Sequence, residues 1–296
     1  LIVNTPAKYA GLTGVEVKTG KEAIALCADK KEVIVKDVET GAEEAYGYDK
    51  LVLTVGASPA KLPIEGTDLS GVFQMRTPDD AENIRSYVEE NQVKKAVVIG
   101  AGFIGLEVAE NLKAKGIQVT VIDFASQILP NIVDAEVAVY AKKHLLKEGI
   151  RVITGTKADA IMGNDHVTGV KTSAGLLRCE LLIMAAGIRP NTDFLQDSGL
   201  EMFKGTILVD KTMKTNLEDV YAAGDCVMVT NRITGKPQWS PMGSSANLEG
   251  RTLAQVLTGT KKEYPGVLGT GVVKLPNLNI GRTGLTEEQA KNAGYD

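Results

Sequence analysis

The sequence has little of what a metal enzyme or a disulfide-stapled secreted domain is built from. Its 296 residues hold three cysteines and two histidines. Cys27, Cys179 and Cys226 lie far apart, with no C-x-x-C or comparable spacing, so reduced thiols in a cytoplasmic chain are expected and not a disulfide framework. With His144 and His166 as the only imidazoles, a zinc site of His and Cys is not expected, and no metal is assigned. Aromatic residues make up 5% and the formal charge is −4. That leaves neither the stacking surface nor the basic footprint of a nucleic-acid binder, nor one for an anionic membrane. No apolar run approaches the roughly 20 residues of a membrane-spanning helix; Leu181 to Ile188 is among the longest and is strand-sized. The opening LIVNTPAKYAG shows no charged stretch followed by an apolar one, so it is not read as a secretory leader.

What remains is ordinary for a water-exposed globular protein: 44% hydrophobic and 24% charged residues, in a chain long enough for two domains. Between Val15 and Tyr48 the stretches VEVK, AIAL and EVIVKDV, split by ADKK and ETGAEEA, read as an antiparallel meander. YDKLVLTVGASP gives a buried strand, Leu51 to Val55, ending at Gly56. Thr77, Pro78 and two aspartates open a helix over 79–90, with Ala81, Ile84 and Val88 on its inner face. Val97 to Ile99 reads as a parallel-sheet strand. Beyond it come a helix, a strand over 119–122, a helix over 136–148, and strands in IRVIT, VTGVKT and LLIMAAG. NLEDVYAAGD ends another strand, a helix spans 247–257, and a strand-rich unit begins in the last thirty residues. There TEEQAKNAG carries the capping pattern of a helix start.

Gly100, Gly102 and Gly105 form G-x-G-x-x-G directly after an apolar strand. In such a turn the first glycine allows the tight bend and the second lets a pyrophosphate approach the backbone. The third lets helix and strand pack closely. The helix that follows presents Ile104, Val108 and Leu112 on one face, and its N-terminus offers N–H groups to phosphates. The next strand ends in Asp123, 18 residues after Gly105, close to the position of an acid that binds the ribose hydroxyl. Phe124, Ala125, Ser126 and Gln127 include no cation for a 2′-phosphate, which favours NAD(H) over NADP(H).

Four stretches, YDKLVLTVGASP, VVIGAGFIGLE, MAAGIRPNT and TNLEDVYAAGDC, stand in an order and at gaps that resemble the pyridine nucleotide-disulfide oxidoreductases. The similarity is to the branch with NADH oxidase, NADH peroxidase and coenzyme A-disulfide reductase, and it covers essentially the whole chain. The resemblance implies FAD and NAD(H) as cofactors. It places Asp225 on the ribityl chain with Gly224 allowing close approach, Gly56 near FAD, and Met242 and Ala246 beside the flavin ring. It makes Phe103 an aromatic lid over the nicotinamide, Ile104 a wall of that pocket and Gly187 a neighbour of the nicotinamide edge. It turns Glu107 toward the carboxamide, although an acid in a first helical turn also stabilises the helix dipole.

The same resemblance implies an α/β fold: two nested doubly wound, Rossmann-like domains with a three-layer ββα arrangement, plus the start of an α+β interface domain. The expected bounds are 1–76 and 193–262 for the FAD domain, 77–192 for the NAD domain and 263–296 for the interface segment. Family members open with a second glycine fingerprint and a redox cysteine beside the flavin. No residue before Val97 has that fingerprint and Cys27 does not match that thiol. The sequence is therefore expected to be a stretch of a longer, homodimeric chain, with no catalytic residue assigned within it, that binds NAD(H), holds FAD poorly and turns over little. The implied activity is hydride transfer from NADH to FAD and onward to a small-molecule disulfide, peroxide or oxygen. Ferredoxin or rubredoxin reductases and a nitrite-reductase flavin module share these motifs. A non-catalytic NAD-sensing module is the reading from another class.

Overall fold

A computed structural model describes residues 5–295. They form two compact units, each assembled from two separate stretches of chain. One takes residues up to Ala57 with Pro190–Val267, and the other takes Ser58–Arg189 with Leu268 onward. The described helices are α1 (Pro6–Thr13), α2 (Pro78–Glu90), α3 (Phe103–Ala114), α4 (Ala135–Lys147), α5 (Gly243–Leu257) and α6 (Glu287–Asn292).

The second unit is built on five parallel strands in the spatial order Val72–Gln74, Leu181–Met184, Lys95–Ile99, Gln118–Ile122 and Arg151–Ile153. Strands covered on both faces must be apolar along their length, and Ala96 to Ile99 and all of Leu181–Met184 are buried. Thr77 and Asp80 exchange the two hydrogen bonds of a capping box and so fix where α2 begins. Helix α3 buries Gly105, Leu106, Val108, Ala109 and Leu112. Ile104 sits at the edge of that stripe, about 40° around the helix from Val108 in the first turn, and is 39% exposed. Full burial of each large side chain here, Leu106 among them, contributes about 1.5–3 kcal/mol.

The unit's bounds differ from those expected for the nucleotide domain. It reaches back to Ser58 because Val72–Gln74 is its edge strand. It also takes in the last segment, because the antiparallel hairpin Gly271–Leu275/Leu278–Arg282 drives Val273, Leu275 and Ile280 into the core shared by Leu106, Val108 and Leu112. The TEEQ pattern is a true cap: Thr286 accepts from the Gln289 N–H, and Gln289 returns the bond to Thr286.

The first unit holds the meander, Lys21–Cys27, Glu32–Asp37 and Glu43–Gly47, paired antiparallel. VEVK, expected as its first strand, has no regular structure, pairs with no strand and is exposed. Ahead of it α1, capped by Thr5 with a proline at its start, was not anticipated: it has no buried residue and hence no apolar stripe to read. Leu51–Leu53 runs parallel to Val220–Ala222, and a four-stranded sheet joins Met202–Phe203, Thr206–Leu208, Val227–Thr230 and Pro237–Trp239. Leu53, Ile207, Val220, Ala222, Val227 and Leu253 share one core. Among the described residues no helix is long and apolar enough to cross a membrane, and no cluster of His, Cys, Asp and Glu could hold a metal.

Candidate functional site

The three fingerprint glycines are glycines for three different reasons. Gly100 has φ +113°, and a Cβ there would overlap the Ala185 carbonyl. Gly105 sits inside α3, where a Cβ would overlap the Gly100 carbonyl oxygen. These two are needed by the fold. Gly102 has no atom within 4 Å of the place its Cβ would occupy, and it caps α3 in an extended conformation with no side-chain hydrogen bond. The first-turn N–H groups of a helix lack intrahelical acceptors, so Gly102 leaves an open, methyl-free approach to the positive end of α3.

Asp123 closes this site from the next strand. One carboxylate oxygen accepts the Ala101 N–H at 2.6 Å and the other the Ala125 N–H at 2.7 Å. A carboxylate offers about four lone-pair positions, so the half-buried group holds the turn and still has capacity for a hydroxyl. Leu129, fully buried, donates its N–H to the Ala101 carbonyl at 2.8 Å. Phe124, next to the acid, is 79% exposed. Gly187, at φ +106° with nothing near its missing Cβ, stands after the Leu181–Met184 strand. Gly100, Gly102, Phe103, Ile104, Gly105, Glu107, Asp123 and Gly187 thus all belong to this one unit.

Two of these side chains are set by the C-terminal hairpin. The Phe103 ring lies so close to Gly271 that a Cβ there would stand 2.9 Å from the ring tip. Glu107 is exposed and accepts from the Lys274 N–H at 3.5 Å, while Glu110, one turn on, pairs with the Lys274 ammonium at 3.0 Å. Sequence reasoning missed Gly271, which no local pattern marks.

The first unit carries Gly56, Gly224, Asp225, Met242 and Ala246. Gly224 has φ +90° and donates its N–H to the Glu249 carboxyl at 2.7 Å. Asp225, half-buried, follows directly, and its carbonyl accepts the Trp239 indole N–H at 2.8 Å. Met242 caps α5 in an extended conformation without a side-chain bond, and Ala246 stands 3.8 Å from where a Gly224 Cβ would be. Gly56 has φ +66°. Asn191 fastens that loop by donating its N–H to the Gly56 carbonyl and its amide to the Val55 carbonyl.

Glu249 was missed. It is 1% exposed, and burial pushes its carboxyl from 4.5 up to about 7 against the pull of the Gly224 N–H. Its neighbour Tyr264 is pushed up to about 12, first by burial. The readable signal was an acid in the repeat Ser245, Glu249, Thr252, Leu253, the inward face of α5. The two buried thiols are poor nucleophiles: burial lifts Cys179 to about 12 and raises Cys226 as well. His166 is exposed, and His144 is half-buried, with Nε2 against the Pro276 carbonyl.

A glycine turn between a parallel strand and an uncapped helix, followed by a strand-ending acid, defines a dinucleotide-binding α/β protein. Residues 7–246 match the family model of the pyridine nucleotide-disulphide oxidoreductases, and the chain belongs to that family. It is 39% identical over 287 residues to an NADH oxidase of Methanocaldococcus jannaschii, covering 97% of this chain and 64% of that protein. The structure of an NAD-dependent persulfide reductase from A. fulgidus superimposes with a TM-score of 0.94 at 37% identity, over 100% of this chain and 55% of the other. A water-forming NADH oxidase from Lactobacillus brevis bound to NADH gives 0.92 at 28% identity, over 99% and 64%. The chain spans about three-fifths of the length of the curated relatives it matches.

Proposed function

We propose that this chain is the nucleotide-handling part of an FAD- and NADH-dependent oxidoreductase whose electrons go to a small-molecule disulfide or persulfide, a peroxide or oxygen. The observation that carries the reading is the opening at Gly102: an uncapped helix N-terminus with no side chain in front of it, closed by Asp123. The residues present fit NAD(H) and the ribityl and ring portion of FAD. When bound, NADH supplies a hydride and FAD takes up the electron pair.

The chain's own groups hold and orient these molecules. First-turn N–H groups of α3 receive the diphosphate, and the spare acceptor capacity of Asp123 receives a ribose hydroxyl while its charge repels a 2′-phosphate. Phe103 covers the nicotinamide and keeps water from it, with Ile104 and Gly187 leaving room beside the ring. Glu107 sits on the rim, where it accepts from the carboxamide. In the first unit Asp225 accepts hydrogen bonds from the ribityl hydroxyls, and Gly56, Gly224, Met242 and Ala246 bring backbone close to the flavin. The names of the relatives, NADH oxidases and a persulfide reductase, support this choice of acceptors. The working form is a homodimer.

The test is a pair of fluorescence titrations with NADH and NADPH. NADH should bind at least about tenfold more tightly, the size of roughly 1.4 kcal/mol of charge repulsion. Equal affinities would remove Asp123 from its role, and no binding of either would end the reading.

A further inference from the structure

Gly224, at φ +90° immediately before Asp225, donates its N–H not to backbone but to a carboxyl on another element: Glu249 of α5, at 2.7 Å. Glu249 is 1% exposed, so nothing about the surface requires an acid there. A buried amide or apolar side chain would avoid the cost of hiding an ionisable group. We propose that Glu249 is a proton-holding positioning residue for the flavin turn. Its neutral form sets the Gly224–Asp225 backbone to receive a ribityl chain, its ionised form opposes that, and FAD affinity falls as the medium becomes alkaline. This rests on Asp225 being the flavin-contacting acid.

The groups facing Glu249 give the sign. Asp225 and the Cys226 thiol face it from the turn. The Tyr264 hydroxyl, bonded to Glu249 and to Ser245, faces it from the segment beyond α5. None of these carries positive charge. An ionised Glu249 puts a negative charge behind the acceptor oxygens of Asp225, the repulsion that also helps hold its proton. Burial already holds the Glu249 proton up to about neutral pH. Seating a flavin against the turn removes more water and raises the cost of the ionised form further. By linkage, a ligand that favours the protonated form binds more weakly once the proton is gone. A glutamine at 249 keeps an oxygen for the Gly224 N–H and cannot ionise.

The experiment uses the whole chain, labelled with 15N, as wild type and Glu249→Gln. The Gly224 amide shift is followed from about pH 5.5 to 8.5, and FAD affinity is read by flavin fluorescence at the two ends. The wild-type amide should titrate with a midpoint near 7 while FAD binding weakens about threefold or more, and both should be flat in Glu249→Gln. An amide that does not titrate, or a fall in FAD affinity equal in both proteins, overturns the role of Glu249. An amide that titrates through Glu249 in a chain with no affinity for FAD at either pH overturns the flavin reading of the turn, and this proposal with it. A Glu249→Gln melting temperature at or above the wild type at alkaline pH shows that the fold is intact.

Discussion

Replacing Gly102 and Gly105 one at a time by alanine separates ligand chemistry from packing. At Gly105 the added methyl lands on the Gly100 carbonyl oxygen inside a closed helix–strand junction. The backbone must shift, and overpacking of this kind costs about 1–3 kcal/mol. For a unit of this size each kcal/mol lowers the melting temperature by about 2–4 °C, so Gly105→Ala should melt several degrees below wild type. At Gly102 the methyl meets nothing and the backbone is already extended. The cost there is about 0.5 kcal/mol, the loss of a tolerated cap residue. In the proposed binding mode the same methyl stands where the diphosphate approaches the first-turn N–H groups. Two charge-assisted bonds at about 1.5 kcal/mol each amount to roughly a hundredfold in NADH affinity. Calorimetry without ligand and NADH titration by fluorescence read the two effects independently. Gly102→Ala melting as low as Gly105→Ala, or binding NADH as well as wild type, would refute this separation.

Stability should fall with pH because of Glu249, whose folded-state value of about 7 lies above the ordinary 4.5. The folded state keeps a proton that the unfolded chain has released, so stability drops as pH rises from about 4.5 to about 7 and the penalty of about 3 kcal/mol is complete above that. Urea unfolding on either side of this window should show the drop in wild type and not in Glu249→Gln; equal slopes would contradict it. Asp123→Ala leaves the Ala101 and Ala125 N–H groups without acceptors. It should cost about 2 kcal/mol while raising the NADPH-to-NADH affinity ratio, and an unchanged ratio would count against Asp123 as the discriminating charge. Ellman's reagent should label Cys27 first in the native chain, since burial holds the Cys179 and Cys226 protons. Mass mapping that finds Cys179 modified first would refute that order.

The parts of this molecule that sequence shows are those whose cause is local. The apolar runs Ala96–Ile99 and Leu181–Met184 are buried on both faces, so their pattern needs no partner to be understood. The caps at Thr77 and Thr286 join residues three apart, and the fingerprint glycines lie within six residues of one another. What stayed hidden depends on distant chain. Gly224 and Glu249 are 25 positions apart. Phe103 meets Gly271 only because the hairpin folds onto α3, and the same packing shifted the expected unit boundaries. VEVK has a strand's alternation but no neighbour to bond. Ile104 has the apolar side chain of a core position but sits at the helix margin.

The division of each unit between two stretches of chain bears on how the protein is made. The core around α3 is finished by Val273, Leu275 and Ile280, which emerge from the ribosome long after Arg189, the last residue of that unit's first stretch. At about 5–20 residues per second, the parallel sheet waits roughly 4 to 17 seconds with the α3 face bare. During that interval the other unit's second stretch is being synthesised in between. The sheet and α3 are therefore a client for whatever shields apolar surface during translation, and slow decoding between positions 190 and 267 would lengthen that exposure in proportion.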